Sequence, residues 1–491
     1  MGKIELIREE SIIQFGTGVL LRALPDFLIE KANSAGLNAG KVVAVKSTSS
    51  DVSLFKNSNC EFTVIEKGIR DGNLIRNPLK VRSVSRVLAA ETQWEEVLDC
   101  ARNPEISIVI SNTTEAGLTY RDEDFRPGKA PQTFPGKLAA CLFERFRTLG
   151  GKNTGMVVLP CELVVDNGRL LKEMVIRHSK MLIPAVNGSA KAVELFIDWI
   201  ENENIFCNTL VDRIVPGGSE PGDLIKMDDT EYIDPLHTAA EPYLLWVIQG
   251  PESLKSKLKF VQADERIIIT DNIQIYRERK LRILNGSNTH VAGVGFLAGC
   301  NTTFDTMEDS PVHEFTSKLI LEEIVPTISG IVPDAVGYAH ETMDRFRNPE
   351  IRYPLLQVAL QYSSKMNSRN TETFFRFYEQ TGKLPILSCL GLASFFVFYI
   401  PAGKKDGSYY GVRKGEPYNY RDDHTDFICG TMEHALKSGD FKSAVNDILK
   451  NTRIFTRDLS TLPGLTELIC TMISDIRKSG MRKVLETVLQ K

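Results

Sequence analysis

A lysine and two asparagines lie close together in an apolar stretch of the chain, where they could carry out acid–base chemistry. They are Lys280, Asn285 and Asn288, in the segment Lys-Leu-Arg-Ile-Leu-Asn-Gly-Ser-Asn-Thr-His that ends at His290. If the segment is helical, Asn285 lies about 140° around the axis from Lys280 and Asn288 about 80°, so the three can face one cleft. His290 lies about 200° from Asn288 and should face elsewhere.

This stretch contains no acidic residue that would neutralise the lysine. Burial disfavours the charged form of a lysine, so a partly buried Lys280 could exchange a proton with a substrate oxygen near neutral pH. Amide N–H groups that point at this oxygen would stabilise the charge that develops on it. An equally open alternative is that Lys280 extends into solvent and the asparagines are ordinary cap and turn residues.

The first quarter of the chain alternates strands and helices in the way of a parallel α/β domain. We predict strands at 11–15, 41–46 and 106–110, and an amphipathic helix at 19–32 that follows the turn Gly16-Thr17-Gly18. A strand, a glycine turn and a helix within about thirty residues are the setting of a Rossmann-type dinucleotide-binding fold. The glycines let the backbone approach a pyrophosphate, and the helix N-terminus attracts its charge.

Two features of these residues leave the identity of the cofactor undetermined. Leu21 occupies the third glycine position of the pattern G-x-G-x-x-G, and a G-x-G alone is more often a tight turn. The second strand ends in Lys46-Ser47, with no carboxylate for a ribose 2′-hydroxyl. A lysine there could favour a 2′-phosphate, so these residues do not distinguish NAD from NADP.

Composition narrows the class of protein. The chain has 491 residues, 42% hydrophobic and 25% charged, which is enough for a large core and about two or three domains. A net charge of −4 gives no sign of a nucleic-acid or membrane partner. The nine cysteines form no Cys-x-x-Cys pair and the N-terminus is charged, so we expect a cytoplasmic protein with reduced, mostly buried thiols. No histidine spacing suggests a metal site, and the apolar stretch 384–400 is predicted to be a buried helix.

The character of the chain changes near residues 272–280. Before this point, polar residues in an apolar segment, Asp212 and Arg213, suggest the wall of a binding site, although a structural ion pair is an equally open reading. After it, helical periodicity dominates, interrupted by predicted loops at 346–349 and 403–420. We therefore predict domains at 1–271 and 272–491, with Lys280 at the junction where small substrates usually bind.

Motifs along nearly the whole chain resemble those of the long-chain mannitol dehydrogenase family, in its polyol and uronate branch. They are Ile13-Gln-Phe-Gly-Thr-Gly-Val-Leu-Leu-Arg-Ala23, Ser111-Asn-Thr-Thr-Glu-Ala-Gly117, Leu142-Phe-Glu-Arg-Phe146, Pro160-Cys-Glu-Leu163, Asn208-Thr-Leu-Val-Asp-Arg-Ile-Val215, Trp246-Val-Ile-Gln-Gly-Pro251, Arg279-Lys-Leu-Arg-Ile-Leu-Asn-Gly286, Arg345-Phe-Arg-Asn-Pro349 and Leu462-Pro-Gly-Leu465. Each motif is modest alone, but their shared order is specific.

The resemblance implies an N-terminal Rossmann-type domain that binds NAD and a mainly α-helical C-terminal domain that closes over a sugar-acid substrate. Lys280 would be the general acid in ketone reduction, with Asn285 as a donor to the reacting oxygen and Asn288 beside them. Residues implied to bind the substrate are Asp212, Asn208 and Arg213. Residues implied to bind the cofactor are Phe15, Gly16, Thr17, Gly18, Val19, Asn112, Thr113 and Glu115.

This chain departs from the family pattern at one position of the site. The family has a histidine three residues after the asparagine, and here Asn288 stands in its place. An asparagine can hold a hydroxyl group but cannot titrate near neutral pH, so we expect an altered rate, pH profile or substrate choice. This leaves open a related ketose, polyol or uronate as substrate, or a paralogue that binds without turnover.

The motif Pro160-Cys-Glu-Leu163 fits the uronate branch, because mannitol-oxidising members have an asparagine at the position of Leu163. We expect Glu162 to be a supporting carboxylate rather than a catalyst. Arg345 and Arg347 could meet the carboxylate of a uronate, although ion pairing with the protein's own acids is at least as consistent with the sequence. The oligomeric state cannot be read from the sequence.

Overall fold

The computed structural model describes residues 9–47, 50–113, 117–216, 224–227 and 230–490. The chain forms two compact units. The first comprises Met1–Lys67 and Ile75–Ile273, and the second comprises Gly68–Leu74 and Gln274–Lys491.

The first unit contains the following strands and helices in chain order. They are β1 (Glu10–Phe15), α1 (Val19–Leu21), α2 (Phe27–Ser34), β2 (Lys41–Lys46), α3 (Ser53–Asn57), β3 (Phe62–Arg70), β4 (Asn73–Val81), β5 (Val84–Ala89), α4 (Trp94–Arg102), β6 (Ile108–Ser111), α5 (Phe134–Leu149), β7 (Val157–Pro160), α6 (Asn167–Ala185), α7 (Ala190–Glu203), β8 (Ile205–Phe206), β9 (Thr209–Asp212), β10 (Leu224–Met227), β11 (Thr230–Ile233), β12 (Thr238–Ala240), β13 (Leu245–Gln249), α8 (Leu254–Lys257) and β14 (Ile267–Thr270). Strands β3 and β4 extend at one end into the residues of the second unit.

A six-stranded parallel sheet in the order β5-β2-β1-β6-β7-β8 is the centre of the first unit. Its strands are short apolar runs buried on both faces, as parallel strands covered by helices must be. Alternate residues serve opposite sides: Ile12 and Val42 belong to one hydrophobic cluster, and Ile13 and Val43 belong to the other. The predicted Rossmann-type α/β fold is confirmed.

The helix after β1 begins at Val19, as predicted, and runs to Ser34 with one irregular turn. Residues Arg22–Asp26 form a π-helical turn that contains Pro25. Proline lacks an N–H and its ring clashes with the carbonyl four residues earlier, so a wider turn accommodates it inside the helix.

Smaller sheets complete the first unit. Their strand orders are β12-β3-β4, β14-β13-β9 and β10-β11. In the second of them β13 pairs antiparallel with β9, which ends at Asp212, and parallel with β14.

The second unit is mainly helical, as predicted. Its elements are α9 (Gln274–Arg279), a π-helix (Lys280–Gly286), α10 (Ser287–Ala298), α11 (Thr303–Glu308), α12 (Ser310–Lys318), a π-helix (Leu319–Ile324), α13 (Ala335–Phe346), α14 (Leu355–Val358), α15 (Tyr362–Thr381), α16 (Ile386–Phe398), β15 (Gly403–Lys405), β16 (Ser408–Arg413), β17 (Glu416–Asn419), α17 (Thr425–Ser438), α18 (Phe441–Leu449), α19 (Leu465–Ser479) and α20 (Met481–Leu489). Short 3₁₀ turns lie at Val325–Thr327 and Leu459–Thr461 in this unit, and at Lys259–Ala263 in the first unit.

The apolar stretch 384–400 forms the buried helix α16, which confirms the prediction. Across the part of the chain that the structure describes, no helix combines the length and the apolar character needed to cross a bilayer. All nine cysteines are free thiols, and eight of them are buried.

The prediction of a loop at 403–420 was wrong, because this segment forms the antiparallel sheet β15-β16-β17. Its two turns have positive φ at both central residues, Asp406-Gly407 and Lys414-Gly415. This conformation favours tight hairpins, and an Asp-Gly pair is a recognised hairpin signal. Tyr409 and Tyr418 turn inward and are buried.

Candidate functional site

A cavity of about 500 Å³ opens at the carboxyl ends of β1, β2 and β6 in the first unit. The strand order changes direction between β1 and β6, and open α/β sheets bind their ligands at this kind of position. Five residues predicted to bind the cofactor line the cavity: Gly16, Thr17, Gly18, Asn112 and Thr113. The structure therefore brings the two predicted loops together.

The turn Gly16-Thr17-Gly18 has the shape of a close-approach loop. Gly16 has a φ of +121°, and its N–H donates to the carbonyl of Val45 at 2.9 Å. A Cβ at Gly16 would lie 2.7 Å from Leu21 Cδ1, so Leu21, in the third glycine position, packs directly against this glycine. At Gly18 an added Cβ would meet no described atom within 4 Å, which leaves room for a ligand.

The three remaining residues predicted to bind the cofactor, Phe15, Val19 and Glu115, do not line the cavity among the described residues. The Phe15 ring is buried, 5.2 Å from the ring of Phe134, so only its backbone faces the loop, where its carbonyl accepts from the Asn112 N–H at 3.2 Å. Val19 is the half-buried first residue of the helix. Glu115 lies outside the described residues.

Glu162 braces the loop that follows β6. Its Oε1 accepts from the Thr113 N–H at 3.0 Å and from the Thr113 hydroxyl at 3.1 Å, and its Oε2 accepts from the Ser111 hydroxyl at 3.1 Å. The Asn112 amide donates to the carbonyl of Cys161 at 2.7 Å. Burial raises the pKa of Glu162, although these hydrogen bonds oppose the shift. A supporting role was expected from the sequence, and these contacts fit it.

A second buried carboxylate lies beneath the glycine turn. The Gln14 amide donates to Asp26 Oδ2 and to the carbonyl of Gly16, both at 3.4 Å. Asp26 is 1% exposed, and burial raises its pKa to about 7, against the opposing effects of Gln14 and Arg22. Its ionisation therefore changes the charge directly under the turn near neutral pH.

Basic groups line the other side of the cavity. Lys137 is buried in the first turn of α5, and its Nζ donates to the carbonyl of Gln132 at 2.8 Å. Burial lowers the pKa of Lys137, and the nearby Glu123 opposes this shift. Arg121 and Lys46 also line the cavity, and Lys46 donates to the carbonyl of Asp51 at 2.6 Å.

The sequence reasoning missed Lys137 and Arg121. A signal for Lys137 was present: Thr133 followed by Pro135 is a helix-start pattern. Thr133 indeed caps α5 by accepting from the Gly136 N–H at 3.1 Å. This start would have placed Lys137 in the first turn of a helix that follows β6.

In the second unit, Lys280, Asn285 and Asn288 are partly exposed, as is Leu281, in a segment that is otherwise buried. The residues from Lys280 to Gly286 form a π-helix, in which hydrogen bonds join residues five apart. This winding brings Asn285 closer to the direction of Lys280 than the α-helical angle assumed from the sequence. Gly286 permits the close packing, because a Cβ there would lie 2.8 Å from Asn370 Oδ1.

Asn288 and His290 differ in exposure, because Asn288 is partly exposed and His290 is fully buried. The Asn288 Oδ1 atom is buried and has no hydrogen-bond partner among the described residues. His290 is fully buried, and an added Cβ at Gly391 would lie 2.2 Å from its Nδ1. Burial lowers the pKa of His290 to about 3, so this imidazole stays neutral and does not replace the missing family histidine.

The predicted substrate residues of the first unit are largely engaged within the protein. Arg213 Nη2 pairs with Glu66 Oε1 at 2.8 Å, and its other nitrogens donate to the carbonyls of Ala23 and Glu241. Arg213 thus forms a structural ion pair, and its partner is Glu66. The Asn208 amide donates to Gln249 Oε1 at 2.9 Å, and Asp212 is buried at the end of β9.

Metal ligation has no visible basis in the residues that the structure describes. Within them, no three His, Cys, Asp or Glu side chains are grouped so as to hold an ion. The chemistry that the site can support is proton transfer and hydrogen bonding at one place, and dinucleotide binding at the other.

Two family models match the chain. The model described as the mannitol dehydrogenase Rossmann domain matches residues 10–262, and the model described as the mannitol dehydrogenase C-terminal domain matches residues 272–477. Together they span most of the chain.

Curated relatives match along nearly their whole length. An altronate oxidoreductase of Halalkalibacterium halodurans is 34% identical over 489 residues, covering 98% of this chain and 93% of the relative. An altronate oxidoreductase of Yersinia enterocolitica is 35% identical over 480 residues, covering 96% and 95%.

Two solved structures share the fold. A Pseudomonas fluorescens mannitol 2-dehydrogenase in ternary complex with NAD and D-mannitol aligns with a TM-score of 0.65 at 21% identity, covering 99% of this chain and 95% of that one. A D-sorbitol dehydrogenase in substrate-free form aligns with a TM-score of 0.74 at 22% identity, covering 97% and 95%.

Proposed function

The chain belongs to the mannitol dehydrogenase family, and from this premise we propose that it is an NAD-dependent oxidoreductase that interconverts the keto-uronate tagaturonate and the aldonate altronate. Relatives that bear the name altronate oxidoreductase, at 34% and 35% identity, support the sugar-acid substrate. The observation that carries the proposed chemistry is the face of the π-helix Lys280–Gly286, where a lysine and a carboxamide lie among buried residues.

The cavity of the first unit fits a dinucleotide. The turn at Gly16 can approach a pyrophosphate closely, Gly18 leaves open space, and the helix that begins at Val19 presents unpaired N–H groups to a negative charge. When bound, NAD supplies the chemistry of hydride transfer at its nicotinamide ring. Asn112 and Thr113, held by Glu162, form the opposite wall of this cavity.

Lys280 is the acid–base group of the proposed reaction. In the reducing direction its ammonium group gives a proton to the ketone oxygen as the carbon accepts a hydride, and in the oxidising direction its amine takes the proton back. The Asn285 amide donates a hydrogen bond to the same oxygen and stabilises the charge that develops there. Both groups must therefore lie on one exposed face, as the π-helical winding allows.

Asn288 holds the substrate rather than titrating. Its buried Oδ1 has no partner within the described part of the chain, and such an atom costs free energy until a donor reaches it. A sugar hydroxyl is a suitable donor. Asp212 is proposed to accept from another hydroxyl, while Asn208 and Arg213 support the fold around it.

The test of this function is the oxidation of NADH by the purified protein, followed by absorbance. Tagaturonate, fructuronate and fructose are compared in parallel, with NADPH as the alternative cofactor. We expect rapid turnover with tagaturonate and NADH. Turnover with only fructuronate or only fructose would show that the protein acts on a different substrate of the same family. NADH binding without any turnover would favour a non-catalytic paralogue.

A further inference from the structure

Helix α15 lies against the π-helical segment and brings an arginine to the proposed acid–base residues. Arg282 Nη1 in the π-helix donates to the carbonyls of Ser368 at 3.0 Å and Arg369 at 2.7 Å. In return, Arg369 Nη1 donates to the Thr289 hydroxyl at 3.0 Å and to the carbonyl of Asn285 at 3.3 Å. The guanidinium of Arg369 is thus directly beside the residue that we assign to the reacting oxygen.

The cations of this region fall into two groups. Glu278 neutralises two of them, Arg282 at 2.9 Å and Arg376 at 2.6 Å. In the described part of the chain, neither Lys365 nor Arg369 has an acidic side chain within ion-pair distance. The Nζ of Lys365 donates only to the carbonyl of Val358, at 2.8 Å. Within the described structure, these two positive charges therefore have no counter-ion.

This arrangement costs the folded protein free energy. Lys365 and Arg369 lie four residues apart on α15, and like charges at this spacing repel each other. Burial, and then the charge of Arg369, lower the pKa of Lys365 to about 8, while burial lowers the pKa of Arg369 to about 10. Groups perturbed in this way are concentrated at functional sites, and a bound anion would relieve both effects.

Two of the three guanidinium nitrogens of Arg369 make no described hydrogen bond. Its described hydrogen bonds use only Nη1, which leaves Nε and Nη2 as a fork without protein partners in the described structure. Such a fork matches the two oxygens of a carboxylate. Lys365 can add a point charge from the preceding turn.

We propose that Arg369, assisted by Lys365, binds the carboxylate of the substrate and thereby makes this protein selective for sugar acids over neutral sugars. This inference rests on the proposed function and names the feature of the substrate that the site recognises. Along the helix, Thr289 lies about 6 Å from Asn285, and Arg369 contacts both residues, so a carboxylate bound by Arg369 would lie near the oxygen that Asn285 contacts.

The arginines considered from the sequence are less suited to this role. Arg347 pairs with Asp344 at 3.7 Å, and Arg345 is 6% exposed.

The experiment compares a charged and a neutral substrate in wild type and variants. Kinetic constants are measured with saturating NADH for tagaturonate and for a ketohexose that has a hydroxymethyl group in place of the carboxylate. In Arg369→Gln we expect the KM for tagaturonate to rise about 100-fold, with kcat/KM for the neutral sugar and the Kd for NADH changing less than about threefold. Lys365→Met should give a smaller change in the same direction.

Arg376→Gln is the matched control, because this arginine is on the same helix but is already neutralised by Glu278. It should leave the ratio of the two kcat/KM values unchanged. An equal loss for both substrates in Arg369→Gln, or no loss for tagaturonate, would overturn the proposal, since either result indicates a purely structural arginine.

A binding measurement separates this inference from the proposed function. Calorimetry of altronate and of the corresponding neutral alditol, with NADH present, is carried out on wild type and Arg369→Gln. Tight binding of altronate that is lost in the variant supports the carboxylate site even if wild type shows no turnover. Equal affinity for the two ligands in wild type contradicts it, whatever the protein catalyses.

Discussion

Replacement of Glu162 by alanine tests how the cofactor loop is held. Glu162 accepts hydrogen bonds from the Thr113 N–H, the Thr113 hydroxyl and the Ser111 hydroxyl, at 3.0 to 3.1 Å. The two hydroxyl groups can rotate towards other acceptors. The Thr113 N–H cannot, so it loses its acceptor in a buried place unless the loop moves.

The size of the effect follows from the Thr113 N–H, since the two hydroxyl groups can find other acceptors. A buried donor without an acceptor costs about 1–3 kcal/mol, so Glu162→Ala should lower the free energy of unfolding by about this amount. If the loop moves instead, the strain appears in cofactor binding, where about 1.4 kcal/mol corresponds to a tenfold change in Kd.

The assay is a fluorescence titration with NADH, together with urea unfolding of the same samples. We expect Glu162→Ala to raise the Kd for NADH at least about tenfold at a temperature where the variant is folded. Glu162→Gln is the control, because its Oε1 can still accept from Thr113 and should keep the Kd within about threefold. An unchanged Kd and unchanged stability in Glu162→Ala would refute the bracing role.

Three further predictions concern single side chains. Gly18→Val should fold normally but weaken NADH binding more than about tenfold in a titration, because the valine side chain would occupy space in the cavity. Gly330→Val is the control: its side chain would also meet no described atom, and NADH binding should not change. Asp26 holds its proton more tightly in the folded state, with a pKa of about 7, than in the unfolded state near 3.8, so wild-type stability should fall as pH rises between these values. Asp26→Asn should abolish this fall and add about 4 kcal/mol at pH 8 in chemical unfolding, and a parallel pH dependence in both proteins would contradict it. Asn288→Ala should raise the KM for tagaturonate about tenfold through loss of the hydroxyl contact, whereas an unchanged steady-state rate would show that Asn288 does not touch the substrate.

The α/β core could be read from the sequence because its signals are local. The strand at 41–46 is found with these bounds, the helix after Gly18 begins at the predicted Val19, and the apolar run after Leu384 becomes the buried α16. In each case a short apolar pattern between turn residues determines the element. Parallel order then places the glycine turn beside Asn112.

Other features depend on interactions that a linear pattern does not contain. The segment Lys280–Gly286 is a π-helix, so the angles expected from an α-helix do not apply, and its Gly286 packs closely against the distant Asn370. The contact between Arg369 and Asn285 joins residues 84 positions apart, and no periodicity indicates it. By contrast, the hairpin at Asp406-Gly407 has a local signal, the Asp-Gly pair, within a segment whose polar composition alone favours a loop.

The central claim is that Lys280 transfers the proton in an NADH-dependent reduction of a keto-uronate, and a single-turnover experiment tests it most directly. NADH oxidation by tagaturonate is followed in wild type and Lys280→Met, with the Kd for NADH measured on both. The account predicts a fall of about 10²- to 10⁴-fold in the rate of the chemical step with unchanged NADH binding. A variant that keeps the wild-type rate with tagaturonate would contradict it.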